Sequence, residues 1–506
     1  MLALAASSAV ALMLSACATT TVSPSGLTPG AGSSAEVVLP AAPKVLARFD
    51  GLHQEERPLC RDCYVNVDTQ TAVGDHQVVQ QVASELLVYT KPSDTDLTAG
   101  AAPQLLSLRT EAEILGFGDV IGQHALNARL LYDAASRRYV ISDMSEDAVY
   151  VAVSATEDAT GPWYVWHQDL PHNGIDEPKL TVTTDKIIVG SYGVWWVLQK
   201  ADVLAATSSP MTPRVSVIDT GIDTYGSDDW AATSTGTPDA HLVRTLYKST
   251  RGYGMDGLAV LTVTGTPAEN NLHVARTNLT FTHPQNPPIS APQPNAWHGV
   301  GIGAIKADVY SAVWADDRLW VALVDSCTSP GATPPTPTAP ATITAAATGG
   351  AAVVTCIRLA QIDTAGTAPV LLRDLDLGIA GTYLLLPAID LDPTGSVSVV
   401  ASATSPTRYP SVVAAQLNRA GHASPWVTIR EGTHARDADL TDGQNYCWFG
   451  DYAAISTDPS NPHRFWLGSQ VADPDPNAPG HWITAFGVVD VAPSRLVEAR
   501  PRSIRR

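Results

Sequence analysis

The sequence predicts an all-β chain, a single β-propeller of about seven blades built from mostly four-stranded antiparallel sheets. Three observations carry that expectation. Few stretches show helical period, whereas short runs of Val, Ile, Leu, Tyr and Trp recur, broken by Asp, Gly, Pro or Asn. Many runs share one form: an apolar strand, a tight turn carrying Asp, then a second apolar strand. Finally, the turn aspartates, at 75, 133, 185, 256, 317, 392 and 458, lie 52 to 75 residues apart. Repeats of that length, each too small to bury its own face, are what a propeller uses as blades.

The N-terminus comes first in chain order. Leu2 to Leu14 is apolar and ends in Leu14-Ser15-Ala16-Cys17, followed by a Thr/Ser/Pro/Gly-rich run. An apolar segment of that length closed by small residues reads as a signal peptide, too short to span a bilayer. Its ending resembles a bacterial lipobox, which makes residues 1–17 a lipoprotein signal and Cys17 the lipidation site. No Lys or Arg precedes the apolar run, which points either to a start codon upstream or to a weak export signal. Ala18 is not the Asp that retains lipoproteins in an inner membrane. The expected address is therefore extracytoplasmic, at the outer membrane or cell surface, with the membrane touched only through the lipid. Residues 18–43 read as a flexible tether, 44–492 as the propeller, and 493–506 as a basic tail.

Within the propeller, Ala72-Val73-Gly74-Asp75 opens the first unit. Leu130-Leu131-Tyr132-Asp133 leads into Tyr139-Val140-Ile141, and Leu180-Thr181-Val182 passes through Asp185 to Ile187-Ile188-Val189. Ala312-Val313-Trp314 turns at Asp316-Asp317 into Leu319-Trp320-Val321, and later copies surround Asp392 and Asp458. The fourth unit, at Met255-Asp256-Gly257, is degenerate; six blades result if it merges with a neighbour. Lys44 to Phe49 is expected to give a strand to the last blade, leaving no unpaired edge at the seam. Trp195 and Trp196 are adjacent in a strand and point to opposite faces, so one is a candidate for exposure or for packing between blades.

The chain carries 50 acidic and 31 basic residues, a formal charge of -19, which argues against nucleic acid as a partner. Charged residues are only 16%, the composition of strands and turns rather than of solvated helices. Gly299-Val300-Gly301-Ile302-Gly303 lacks the βαβ setting of a dinucleotide site, and His298 beside Trp297 reads as packing or loop. Neither a Gly-x-Ser-x-Gly elbow nor a His-Glu-x-x-His zinc motif occurs. The sequence implies no organic cofactor.

Several segments together resemble a family of secreted bacterial β-propellers loosely grouped with sialidase-like propellers. They are Phe49-Asp50-Gly51-Leu52, Asp68 to Gly74, Arg129 to Asp133, Val151 to Ser154 with Asp158 to Tyr164, Ser311 to Trp314, and Trp448-Phe449-Gly450-Asp451-Tyr452. The resemblance runs in order over nearly all of the region after the tether, and it implies the propeller fold without a settled activity. Asn66-Val67 and Asn127-Ala128 depart from its pattern. The sialidase carboxylate clamp of three arginines is not legible, since Arg129 is the one strong candidate.

Propeller geometry converges the starts of the innermost strands on one mouth. Those starts are Asp68, Arg129, Asp176 with Glu177, Asp308, and Asp451 with Tyr452. A ring of carboxylates with one Arg and one Tyr suits acid–base cleavage of a glycoside, binding of a polar polymer, or holding a cation. The same aspartates equally suit acceptance of backbone N–H groups at strand starts. Two function classes follow. One is a surface-anchored propeller binding a glycan, polymer or partner protein; the other is a glycoside hydrolase or lyase using Asp68, Asp176, Asp451, Tyr452 and Arg129. Asp437, Asp439 and Asp442 form a candidate calcium loop without the closing Glu of an EF-hand; Asp219, Asp223, Asp228 and Asp229 form a looser cluster. With Cys17 lipidated, Cys327 and Cys356 are expected to bridge adjacent strands and tie off the Thr/Pro/Ala-rich insertion between them. Either Cys60 or Cys63 is placed to reach Cys447 across the seam, against a local Cys60–Cys63 bond.

Overall fold

The structure is a computed structural model that describes residues 39–54, 67–116, 128–144, 148–170, 177–191, 193–221, 229–234, 236–247, 255–281, 283, 287–288, 290–295, 301–303, 308–328, 353–436, 446–472 and 481–493. The chain folds as a seven-bladed β-propeller of antiparallel sheets. From the axis outward, blade 1 is Gln70–Val73, Gln77–Val82, Glu85–Thr90 and Leu105–Thr110, and blade 2 is Arg129–Asp133, Arg138–Met144, Ala148–Ser154 and Trp163–Asp169. Blades 3 to 6 repeat this order with first strands Lys179–Val182, Asp229–Ala231, Val309–Ala315 and Tyr383–Leu391, and in blade 5 the two-residue strand Thr233–Ser234 adds in parallel to the inner side of Val309–Ala315. Blade 7 takes Ala454–Asp458, Asn461–Ala472 and Trp482–Asp490 from the end of the chain. Its outermost strand is Lys44–His53, antiparallel to Trp482–Asp490. The exchange predicted for Lys44 to Phe49 is therefore present and runs four residues further. Each innermost strand touches the next, and Gln70–Val73 meets Ala454–Asp458 to close the ring.

Strand alternation sends apolar side chains to both faces of every blade, and each face packs against a neighbour. The result is one apolar core per blade interface. Leu130 and Ile141 of blade 2 meet Val79 and Val88 of blade 1; at the seam, Ala47, Trp466, Trp482 and Val488 meet Val78 and Leu87. Both adjacent tryptophans are buried: Trp195 joins the core between blades 3 and 4, Trp196 the one between blades 2 and 3. Packing accounts for both, and neither is exposed.

Six of the seven turn aspartates lie where the repeat predicts, at the junction of the first and second strands of their blades, with Asp133 and Asp458 as the last residues of the first strand. Several tie blades together. Asp133 accepts from Lys200 of blade 3 at 2.8 Å, and Asp458 accepts from Lys91 of blade 1 at 2.8 Å and from its own blade's Trp466 Nε1 at 3.2 Å. Asp392 holds its own turn, accepting from the Thr394 and Ser396 amides at 2.8 and 3.0 Å. Asp256 is the exception, lying inside the third strand of blade 4, Met255–Thr264. Gly257 beside it does not mark a turn. A Cβ there would lie 1.9 Å from the Leu279 carbonyl oxygen of the outer strand, so the glycine permits close strand approach. The true first turn of blade 4 precedes Ala240–Tyr247.

Cys327 and Cys356 are joined, with Cα atoms 5.8 Å apart and a sequence separation of 29. They sit on the paired strands Arg318–Thr328 and Val353–Asp363 of blade 5, the bridge predicted for them. Cys60 and Cys63 lie outside the described residues. For Cys447 only the backbone strand Tyr446–Trp448 is described, pairing with Gly301–Gly303. Replacing Cys327 and Cys356 together by Ala should lower the unfolding free energy by about 3 kcal/mol through loop-closure entropy. Urea titration of the double variant beside the parent checks this; coincident curves would mean the bridge contributes nothing.

Candidate functional site

The innermost strands run in the same sense along the axis, so their first residues gather at one end of the ring. A cavity of about 510 Å³ runs down this axis, lined by residues from the innermost strands of all seven blades. It extends from Arg129, Lys179 and Trp230 near the strand starts to the Asp392–Gly395 turn at the opposite end.

At the strand starts a cationic–aromatic cluster forms. Arg129 is 4% exposed, with its guanidinium carbon 3.4 Å from the Tyr452 ring centre and 4.4 Å from that of Trp230. The two rings are 5.7 Å apart and inclined at 59°. None of the three guanidinium nitrogens meets a hydrogen-bond acceptor among the described residues. Desolvated cation–π contacts contribute about 2 kcal/mol or more, whereas burying an ion without hydrogen-bonded partners costs several kcal/mol. The rings hold the guanidinium in place without satisfying its donors.

Lys179 stands beside it. Its ammonium donates to Glu177 Oε2 at 2.8 Å and to the Tyr452 hydroxyl at 2.7 Å, and that hydroxyl donates to Glu177 Oε2 at 2.7 Å. Burial pushes the Tyr452 phenol well above its usual range; Glu177, Asp451 and Asp68 add to the shift and Arg129 opposes it. Tyr452 is therefore a neutral donor at physiological pH. Glu177, a non-glycine residue at φ 55°, is held in the left-handed region that such residues rarely adopt.

The structure gives the sequence candidates different places. Arg129 lines the cavity, with Tyr452 packed on its guanidinium. Asp68 is buried and accepts from the Asp451 amide at 2.9 Å, joining blades 1 and 7; neither aspartate lines the cavity. Asp308 is buried at the start of blade 5. Asp176, the loop of Asp437, Asp439 and Asp442, the residues Asp223 and Asp228, the Trp297–His298 pair and Cys17 lie outside the described residues. Asp219 accepts from the Gly221 amide at 2.8 Å, and Asp229 lies in the innermost strand of blade 4. Among the described residues, the His/Cys/Asp/Glu group close enough to share a metal ion is Cys327, Cys356 and Asp376, and its two sulfurs are already bonded to each other.

Lys179 and Trp230 escaped sequence reading for separate reasons. Lys179 stands two residues past Glu177 on a strand already recognised, and its position alone was a usable signal. Trp230 belongs to blade 4, where the repeat points to Asp256 as the first turn and so does not align the strand Asp229–Ala231 with the other strand starts. Asp390 also lines the cavity; burial raises its carboxyl above the usual range, opposed by hydrogen bonds from Thr457 and Leu391.

No protein-family profile and no curated protein matches this chain. Solved structures similar to it include a polysaccharide lyase, the PL25 ulvan lyase, 10% identical with a TM-score of 0.40, covering 88% of this chain and 94% of that one. Another is the GH93 α-L-arabinofuranosidase of Fusarium graminearum with arabinobiose, 12% identical with a TM-score of 0.37, covering 89% and 98%. The α-L-arabinanase of Penicillium chrysogenum, also with arabinobiose, is 9% identical with a TM-score of 0.35, covering 73% and 94%. At this degree of likeness none of their activities carries over to this chain.

A second polar group lies on the same rim, between blades 1 and 2. Glu111 opens the short helix Glu111–Leu115 after blade 1 and is fully buried, as are Asp143 and Glu85. Burial raises the Glu111 carboxyl well above 4.5, and the carboxyls of Asp143 and Glu85 raise it further. The folded state then keeps a proton that the unfolded chain releases above about pH 4.5. This contribution is fully present at lower pH and is lost as pH climbs toward the folded value. Glu111→Gln, which cannot ionise, should therefore gain stability relative to the parent at pH 7.5 but not at pH 4. Paired urea midpoints at the two pH values check the sign.

Proposed function

We propose that this chain is an exported, lipid-anchored propeller that binds a glycan or surface polymer at the cell envelope, with the axial channel as its binding site. The observation that carries the reading is the channel itself: concave, lined by all seven blades and ending in a ring-flanked cation. Ligand sites combine an enclosed, partly apolar wall with a few convergent polar groups. Here Trp230 offers a ring for stacking on a sugar, while Lys179, Asp390 and Thr457 are polar wall groups, each already hydrogen-bonded within the protein. A narrow shaft suits a chain end or side group better than the broad face of a partner protein. The Cys327–Cys356 bond supports an oxidising compartment, in line with the export signal read at Cys17.

A catalytic reading is favoured by one observation, the raised carboxyl of Asp390 on the channel wall. A carboxyl on the wall of such a channel is one half of what glycoside cleavage requires. The hydrogen-bonded Tyr452, Glu177 and Lys179 add proton-carrying groups next to the channel's cationic end.

Both readings are tested by titrating the purified chain against a broad glycan panel while following binding heat and product formation together. Binding of one glycan class without new reducing ends or unsaturated products is the expected result. Trp230→Leu, which keeps apolar volume but removes the ring, should weaken that ligand by about tenfold. Turnover in the panel would move the assignment to the enzyme, and an absence of any glycan binding would overturn it.

A further inference from the structure

Buried carboxyls elsewhere in this propeller are met by donors. Asp390 accepts from the Leu391 and Thr457 amides and from the Thr457 hydroxyl, and Asp325 from Arg358 and the Ser326 amide. Glu111 differs. It is fully buried, and neither of its oxygens meets a hydrogen-bond donor among the described residues. Gln81 and Asp143, also fully buried, lie within hydrogen-bonding reach of its carboxyl, and the Glu85 carboxyl is close enough to repel it. The Gln81 amide nitrogen donates to the Ala83 carbonyl, while its Oε1 meets no donor among the described residues. Strand alternation gathers these groups. Gln81 lies two residues past Val79 and Asp143 two past Ile141, and both apolar residues share the core between blades 1 and 2 with Ile114 and Leu115 of the Glu111–Leu115 helix.

We infer that this oxygen cluster between blades 1 and 2 is a calcium site, with Glu111, Asp143 and the side-chain carbonyl of Gln81 as its ligands. The direct ligands are two carboxylates and one amide oxygen; Glu85 adds negative charge beside them. Calcium takes carboxylate and carbonyl oxygens in flexible arrangements, whereas magnesium demands near-octahedral geometry. Zinc favours imidazole and thiolate, and this set offers neither. Two neighbouring carboxylates withdrawn from water are costly unless a positive charge accompanies them. A proton shared by Glu111 and Asp143 answers one oxygen of the set. A divalent cation answers Glu111, Asp143 and Gln81 together and offsets both charges. Asp143 follows Ser142, the cross-strand partner of Arg129, so the ion ties blade 1 to blade 2 at the end of the ring where the Arg129 cluster stands.

Thermal unfolding and calorimetric titration of the full chain at pH 7.5 test this, after stripping with EDTA and adding calcium, magnesium or zinc chloride. Calcium should raise the parent's melting temperature and bind at least about tenfold more tightly than magnesium. Glu111→Gln should lose one bound calcium per chain together with the rise. The order of the two proteins then reverses: the variant is the more stable in EDTA, where it removes a buried acid, and the parent is the more stable in calcium. Gln81→Leu, which keeps both carboxyls, should weaken calcium by about tenfold and decides the matter if Glu111→Gln does not fold. Asp439→Ala, in the acidic loop, should retain the Glu111-dependent ion and its rise. Equal melting temperatures in EDTA and calcium would overturn the inference. So would a response to zinc but not to calcium, or a Glu111→Gln chain that binds as much calcium as the parent.

Discussion

Burial of both faces of every blade is the constraint on which the rest of this molecule depends. A four-stranded sheet of short strands cannot stand alone in water, because its apolar residues alternate to both sides and neither side is closed. Seven such sheets placed face to face solve this only when the first also meets the last. Lys44–His53 makes that closure, pairing with Trp482–Asp490 and placing Ala47 and Phe49 in a core shared by blades 7 and 1. Phe49 stacks on Phe486 at 5.6 Å and meets Trp466 edge-on at 6.1 Å. The buried Lys91–Asp458 pair reinforces the same joint.

Ring closure also explains the position of the candidate site. Each innermost strand contributes its first residues to the same end of the axis, so Arg129, Lys179, Trp230 and Tyr452 meet although they are scattered over more than three hundred positions. The turn aspartates lie at the opposite ends of those strands and serve as joints between and within blades. The turn aspartates and the Arg129 cluster are thus separated along the axis. Asp133 and Arg129, at the two ends of one short strand, sit in different surroundings: Asp133 receives Lys200, and Arg129 meets two aromatic rings and no acceptor among the described residues.

Much of the fold was legible because the repeated strand–Asp turn–strand unit is local. A turn aspartate accepting its own loop amides, as Asp392 does from Thr394 and Ser396, leaves its mark within a few residues. The Cys327–Cys356 bridge was legible for a similar reason, since the two cysteines flank one insertion between strand-like runs. Blade 4 was misread because its innermost strand, Asp229–Ala231, is only three residues long, while Gly257 imitated a turn for a packing reason set by Leu279 on another strand. Trp195 and Trp196 could be assigned to opposite faces of a strand, but their burial depended on blades 2 and 4.

From sequence alone came the strand period, the repeat length, the propeller class, the strand exchange and the convergence of strand starts that singled out Arg129 and Tyr452. These follow from alternation and turn chemistry, which act over a few residues and are written where they act. Only the tertiary structure decided that Asp68 accepts the Asp451 amide, that Lys179 answers Glu177 and Tyr452, and that Arg129 is packed against two rings with no acceptor among the described residues. Those outcomes depend on side-chain distances of 2.7 to 4.4 Å between different blades. Such distances are set by how seven sheets close on one another, and no local pattern in the chain encodes them.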